Sequence, residues 1–419
     1  MGGRLHHNVF ALLSLQGLRY LIPLLILPYL LRTLGPMQFG WLAFAQAYAH
    51  YLVAATDYGF NLSATRRVAL LREDPEQLGR FAGTVFAAKA LLLAVGFAAS
   101  ALALLFVPTL LRHWELVLAC DVLALGSLLL PVWLLQGLER MRLLMVVSTV
   151  ARLVTMALVF ILVRDQADLV TAALLLAGGD VLAGMIILAG LGRWVNVRPI
   201  WPGWPAVQAT LREGWPIFLS NMALTLYVSS NTFVLGLVAS PMVIGYFAAG
   251  EKLVRAAQGL LSPLSQAVFP FGARLAQDAP GQAWRFFRRL LLGQGGIALV
   301  LSCALWALAP VLVDGLFGAR FLPSVAPTRW LAFVPFVVAL SNVLGVHIML
   351  NFGLDRLFSR ILIGAGLLNL TMMASLAHKF GSSGAAMSVL LAEIGVTSMM
   401  AMVLAREGLL QNLLRGATL

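Results

Sequence analysis

Residues 18–67 read LRYLIPLLILPYLLRTLGPMQFGWLAFAQAYAHYLVAATDYGFNLSATRR. Two apolar stretches flank a short Arg32-Thr33-Leu34-Gly35-Pro36 turn. A helix that crosses a bilayer needs about 20 mostly apolar residues, and both stretches supply them. Each also carries groups that hydrocarbon does not tolerate. Gln16, Arg19, Tyr20 and Pro23 follow i, i+3, i+4, i+7 spacing and share one face of the first helix. Gln46, His50, Asp57 and Asn61 share a face of the second. An ionised side chain in hydrocarbon costs about 3 kcal/mol or more, so both stripes must face protein or water. The stretch predicts a helical bundle with a hydrophilic, cation-bearing interior.

The same pattern extends along the chain, which is 61% hydrophobic and only 11% charged, outside the range of soluble domains. Hydropathy places spans at roughly 8–31, 38–57, 81–107, 116–138, 143–163, 169–191, 215–238, 242–268, 290–313, 330–351, 361–378 and 383–405. The net charge of +12 is spread between spans rather than gathered in a patch, which argues against nucleic acid as a partner. Eighteen Lys and Arg fall on the loops that share a side with the N-terminus, and six on the other side. By the positive-inside rule both termini are cytoplasmic. The N-terminal residues show no small-residue cleavage site, so the first helix is expected to be retained.

The chain also repeats itself. Pro36-Met37-Gln38-Phe39-Gly40-Trp41 recurs as Pro241-Met242-Val243-Ile244-Gly245-Tyr246, and the same offset of 205 places Arg80-Phe81 on Arg285-Phe286. Gly137-Leu138-Glu139-Arg140 recurs as Gly353-Leu354-Asp355-Arg356 at an offset of 216. With six spans between copies, the halves point the same way, as parallel repeats. The expected fold is an all-α polytopic membrane protein: about 12 transmembrane helices in two parallel-repeat six-helix lobes around a central cavity. The lobes are residues 1–191 and 215–419, the latter with a short C-terminal tail. A cytoplasmic linker, 192–214, joins them, and Trp194, Trp201, Trp204 and Trp215 suit a place at the membrane surface.

Five basic residues fall inside spans: Arg19, Lys89, Arg152, Lys252 and Arg255. Each has two readings, as a cation paired with a neighbouring acid or snorkelling to an interface, or as part of an anion-binding interior. Asn221 and Thr225 share a face of the seventh span, and Lys252 and Arg255 a face of the eighth. These stripes make Gln16, Tyr20, Gln46, His50, Asp57, Asn61, Asn221 and Thr225 the polar, sugar-contacting candidates. Tyr48, Tyr51 and Tyr58 would either stack on sugars or serve in packing. Only three lysines occur, and Lys89 and Lys252 are two of them. An ammonium loses its proton when desolvated far more readily than a guanidinium, so Lys252, with Glu251 beside it, is the candidate for ion coupling. Pro23, Pro28, Pro263 and Pro270 are expected to kink their helices.

Several function classes drop out. No Gly-x-x-x-x-Gly-Lys-Ser/Thr phosphate loop occurs, and no long extramembrane loop could house a soluble active site. The six histidines lack metal-ligand spacing, and Cys120 and Cys303 lie in apolar segments with no disulfide framework. The chain reads as a transporter rather than an enzyme, with no cofactor, driven by a proton or sodium gradient or by the membrane potential.

Leu27-Pro28-Tyr29, Arg32-Thr33-Leu34-Gly35, Phe39-Gly40 and Asp57-Tyr58-Gly59-Phe60-Asn61-Leu62-Ser63-Ala64-Thr65-Arg66 resemble the Wzx-type O-antigen flippases, as does Gln136-Gly137-Leu138-Glu139-Arg140-Met141. These form part of the polysaccharide-transporter branch of the multidrug/oligosaccharidyl-lipid/polysaccharide exporter superfamily. The resemblance is strongest over the first 165 residues. It implies two six-helix lobes in alternating access within the bacterial inner membrane. It implies a substrate, an undecaprenyl-pyrophosphate-linked oligosaccharide repeat unit moved from the cytoplasmic to the periplasmic leaflet. It further implies a cationic interior, for which Arg19, Lys89, Arg152, Lys252 and Arg255 are the candidate pyrophosphate-binding residues, with Arg19 and Arg255 expected to grip the phosphate oxygens, and partnership with a polysaccharide polymerase and a chain-length regulator. Two rival readings stand beside it: a cation-coupled drug exporter of the MATE type, which would want carboxylates in its interior, and an integral-membrane glycosyltransferase or polymerase of the same pathway.

Overall fold

A computed structural model of the chain describes the backbone of residues 2–201 and 203–415. It describes side chains within 25–413, other than 202, 223, 224, 227–229, 260, 262–264, 266, 267 and 280. The α-helices are α1 (Gly2–Asp57), α2 (Phe60–Leu71), α3 (Pro75–Phe106), α4 (Pro108–Leu111), α5 (Trp114–Leu129), α6 (Val132–Gly137), α7 (Met141–Leu162) and α8 (Leu169–Trp194). They continue as α9 (Trp204–Val238), α10 (Pro241–Asp278), α11 (Pro280–Leu312), α12 (Val325–Leu331), α13 (Val334–Asn342), α14 (Asp355–Arg406) and α15 (Leu409–Arg415). Among the described residues, seven helical stretches are long and apolar enough to cross a membrane. The protein is an all-α, multi-pass membrane protein.

Two of the longest helices are double. Gly35 (φ 73°, ψ 173°) interrupts α1, and Gly381 (φ 58°, ψ −135°) interrupts α14 between the last two expected spans. Both values lie where a Cβ is disfavoured, so glycine stands where the chain must turn. Pro28 and Pro270 lie in helix without such a break, whereas the side chains of Pro23 and Pro263 are outside the described residues. The turn in α1 falls at Gly35, within the expected Arg32–Pro36 turn.

The internal repeat is visible in these breaks. The 205-residue offset carries Gly35 onto Ser240, the extended residue (φ −70°, ψ 153°) that precedes α10. It carries Pro36 onto Pro241, and Pro75 onto Pro280, each of the latter two opening a helix. Proline suits that place because the first helical N–H has no partner to lose. The later match needs a correction. At the end of α6, Arg140 N–H donates to the Leu135 carbonyl (2.8 Å) around Glu139, whose φ is 58°. The same loop recurs where Leu354 N–H donates to the Met349 carbonyl (2.8 Å) around Gly353, φ 76°. Residue 139 thus corresponds to 353, an offset of 214 rather than 216, and the shared letters Gly-Leu were out of register.

The chain forms two compact units, 1–229 and 230–419. In the first, α5 lies along α8 and α1, α7 along α8, and α2 against α6, with Trp133, Phe60, Val68 and Leu135 buried among them. Asp74 caps α3 by accepting from the N–H groups of Glu76 (3.1 Å) and Gln77 (3.0 Å). After α8 the chain leaves helix and runs against the start of α3, where Ile200 N–H donates to the Gly79 carbonyl (3.0 Å). A side chain at Gly79 or Gly83 would strike the carbonyls of Arg198 and Ile200. Trp194, Trp201, Trp204 and Trp215 are all exposed. In the second unit α10, α11, α13 and α14 enclose Trp284, Phe287, Ile348 and Met400. Arg329, counted from hydropathy as a loop residue, sits instead in α12, inside the candidate span Ala319–Met349. The hydropathy window begins only beyond it because arginine itself depresses the mean.

Candidate functional site

Lys89, on α3, is buried, with its side chain 1% exposed. Its ammonium donates to Asp57 Oδ1 (3.2 Å) and to the Ser127 carbonyl (2.7 Å). In an unbroken helix that carbonyl would accept from residue 131. Residue 131 is proline and has no N–H. Lys89 therefore supplies the donor that the break between α5 and α6 removes.

Asp57 ends α1, and the chain turns at Tyr58 (φ 50°) and Gly59 (φ 79°) before α2. The turn lets Asn61 Nδ2 reach back to both carboxylate oxygens of Asp57 at 2.9 Å. Lys89, Asp57 and Asn61 thus form one connected polar group, and the carboxylate is shared by a cation and an amide. Tyr58 is used in packing. Its ring stacks on Phe218 (4.6 Å, 13° between planes) and its hydroxyl donates to the Leu211 carbonyl (3.0 Å). Ile217 and Asn221 lie so close to Gly59 that a side chain there would strike them.

Two guanidinium groups of the expected interior are likewise held by acids. Arg152 on α7 pairs with Asp180 on α8 at 3.1 Å, both partly exposed. Arg255 pairs with Glu251 one turn earlier on α10 at 2.8 Å, with 48% of its side chain exposed. Thr232 Oγ1, from α9, donates to the other oxygen of Glu251 (3.2 Å). Lys252 adjoins this pair and is partly buried, as is Gln46, while His50 is exposed. Thr225 donates its hydroxyl to the Asn221 carbonyl (2.9 Å). Gln16, Arg19 and Tyr20 lie outside the described side chains.

The structure also shows polar pairs that periodicity did not reveal. Ser100 Oγ donates to the fully buried Asp121 (2.6 Å). Asn369 Nδ2 donates to Asn231 Oδ1 (2.6 Å), and Ser265 Oγ lies 3.1 Å from His347 Nε2. Each joins two helices through one polar residue on each, so no single helix carries a stripe to be read.

Residues 5–276 match the family described as polysaccharide biosynthesis protein. The chain belongs to that family. Two curated relatives both carry the name "Putative O-antigen transporter". The one from Escherichia coli (strain K12) is 32% identical over 416 residues, covering 97% of this chain and 98% of that protein. The one from Shigella dysenteriae is 28% identical over 389 residues, covering 92% and 96%. Among solved structures, an inward-facing MATE family multidrug resistance transporter of the MOP superfamily superposes with a TM-score of 0.72 at 13% identity, covering 93% of this chain and 96% of that one. The lipid II flippase MurJ, in an inward closed conformation, also gives 0.72 at 13% identity, covering 96% and 90%. This polysaccharide biosynthesis protein therefore shares its fold with exporters and flippases. Within that fold three of the four described members of its basic set, Lys89, Arg152 and Arg255, each face a carboxylate, and the fourth, Lys252, adjoins Glu251 in sequence.

Proposed function

We propose that the chain is a flippase that moves an undecaprenyl-pyrophosphate-linked O-antigen repeat unit from the cytoplasmic to the periplasmic leaflet of the bacterial inner membrane. Membership of the polysaccharide biosynthesis protein family and full-length likeness to proteins named as O-antigen transporters support a transporter of lipid-linked polysaccharide rather than an enzyme. The excess of Lys and Arg on alternate loops supports cytoplasmic termini.

The observation that carries the reading is the state of Arg152 and Arg255. Each lies in a helix that hydropathy reads as a membrane span, is paired with a carboxylate and is still partly exposed. A bare guanidinium in such a place is expensive. A paired one can exchange its carboxylate for a diphosphate oxygen and keep charge-assisted, bidentate hydrogen bonds throughout. In this reading Arg19 and Arg152 of the first unit and Arg255 of the second are each a diphosphate ligand within their own unit, and Asn221, Thr225, Gln46 and His50 meet the sugars. Lys89 with Asp57 and Asn61 is the rigid support. Glu251, released by Arg255 when the diphosphate arrives, is the acid placed with Lys252 to respond to a coupling ion. The membrane potential favours export as well, since one charge is worth about 2.3 kcal/mol per 100 mV and the cell interior is negative.

The test is complementation of a strain that lacks its O-antigen flippase. The wild-type chain should restore surface O-antigen. Arg152→Gln and Arg255→Gln should each abolish display at unchanged membrane abundance. Full display from an Arg152→Gln, Arg255→Gln double variant removes these residues from the site. Drug resistance without O-antigen display would favour the exporter reading instead.

A further inference from the structure

Arg329 differs from the basic residues described so far. It lies inside the candidate span Ala319–Met349. Among the described residues no carboxylate lies within ion-pair reach of it, and its Nε is buried with no hydrogen-bond partner. Its guanidinium carbon sits 4.9 Å from the centroid of the Trp306 ring, on α11. The ring accounts for one face of a planar cation that carries five N–H donors along its edge.

The backbone holds this pair in place. Thr328, next in sequence, is fully buried; its hydroxyl donates to the Ser324 carbonyl (2.6 Å), and it packs so tightly on Gly250 of α10 that a side chain there would strike it. Arg329 is thus fixed at its root. Roughly 20 residues separate it from Met349, carried by α12, α13 and a π-helical stretch, Val343–Met349, which at about 1.5 Å per residue or slightly less is on the order of the 30 Å hydrocarbon core. If Met349 marks one membrane surface, Arg329 lies at the other. Trp306 and Trp330 are exposed near this position, as tryptophans are at the boundary between acyl chains and headgroups.

We propose that Arg329 and Trp306 form a binding platform for the phosphate of an anionic phospholipid, in the leaflet opposite the 350–354 turn. A guanidinium at that depth needs acceptors, and the protein supplies none among the described residues. The lipid phosphate sits at that level and presents oxygens in the geometry a guanidinium fork matches. The exposed ring of Trp306 holds the cation on one side and offers the lipid's glycerol and upper acyl carbons an apolar surface on the other. Such a lipid is resident rather than transported, so the inference is independent of the cargo.

The experiment is native mass spectrometry of the full-length chain in detergent, titrated with dioleoyl-phosphatidylglycerol. The wild type should retain one tightly held lipid. Arg329→Gln should bind it about tenfold more weakly, through the loss of charge-assisted hydrogen bonds. Trp306→Leu, at an exposed site and so spared a packing defect, should weaken binding in the same direction. Arg320→Gln, which removes an exposed charge on the preceding turn, should leave retention unchanged. Equal retention by wild type, Arg329→Gln and Trp306→Leu overturns the proposal. So does an equal loss in Arg320→Gln, which would mean that net charge alone is being read. Displacement of the lipid by 10 mM inorganic phosphate would make this a free-anion site and overturn the lipid assignment.

Discussion

Lys89 hydrogen-bonds the carbonyl that Pro131 leaves without its helical donor. The ammonium, 2.7 Å from the Ser127 oxygen, also holds Asp57 at 3.2 Å, so one cation closes a broken helix and ends another. A buried pair that loses one member leaves an uncompensated charge, at about 3–5 kcal/mol. Lys89→Met should therefore lower the unfolding temperature markedly, and the double variant Lys89→Met, Asp57→Asn should regain part of the loss. In a Pro131→Ala background, where Ser127 recovers a backbone donor, Lys89→Met should do less damage. Thermal unfolding of the four proteins in detergent measures the coupling; strictly additive losses would separate Lys89 from Pro131.

Glu139 and Gly353 occupy the same place in the two repeats, both at positive φ. Only glycine takes that conformation without strain. Glu139→Gly should stabilise the protein by about 0.5–1 kcal/mol, and Gly353→Ala should destabilise it by a similar amount. Glu139 also makes a long, exposed contact with Arg72 (3.5 Å), worth little. Unfolding midpoints measured in an Arg72→Gln background isolate the backbone effect.

Gly79 and Gly83 let the segment after α8 lie directly on α3. Gly83→Val should push that segment away and break the Ile200–Gly79 hydrogen bond while leaving α3 helical. Hydrogen exchange at the Ile200 amide should then speed up by about tenfold or more, given about 1–2 kcal/mol for the bond and its packing. Unchanged protection of residues 195–203 would show that the segment is held elsewhere.

Tyr58 ties α1 to α9 through its hydroxyl and its ring. Tyr58→Phe keeps the stack on Phe218 and loses only the bond to the Leu211 carbonyl, at about 0.5–1.5 kcal/mol. Phe218→Ala loses the stack and the contact of the half-buried ring with Trp215 (5.4 Å between centroids), and should cost about 1–3 kcal/mol. The ranking of the two midpoints distinguishes a packing residue from a sugar platform, since a platform would leave stability untouched and change only transport.

From residue order alone came the membrane-crossing helices, the approximate span limits, the repeat and the short list of intramembrane charges. All of these are local: hydropathy is summed along the chain, and a glycine or proline acts on its own backbone. The turn at Gly35 and its counterpart at Ser240 were legible for that reason. Tertiary structure decided what each charge meets. That Lys89 answers Pro131 across 42 residues of chain (131 − 89), that Arg152 finds Asp180 on the next helix, and that Arg329, among the described residues, meets Trp306 and no carboxylate depend on which helix faces lie together. In a bilayer that choice follows from close packing of small residues and from the need to satisfy every buried polar group, and neither is a property of one helix read by itself.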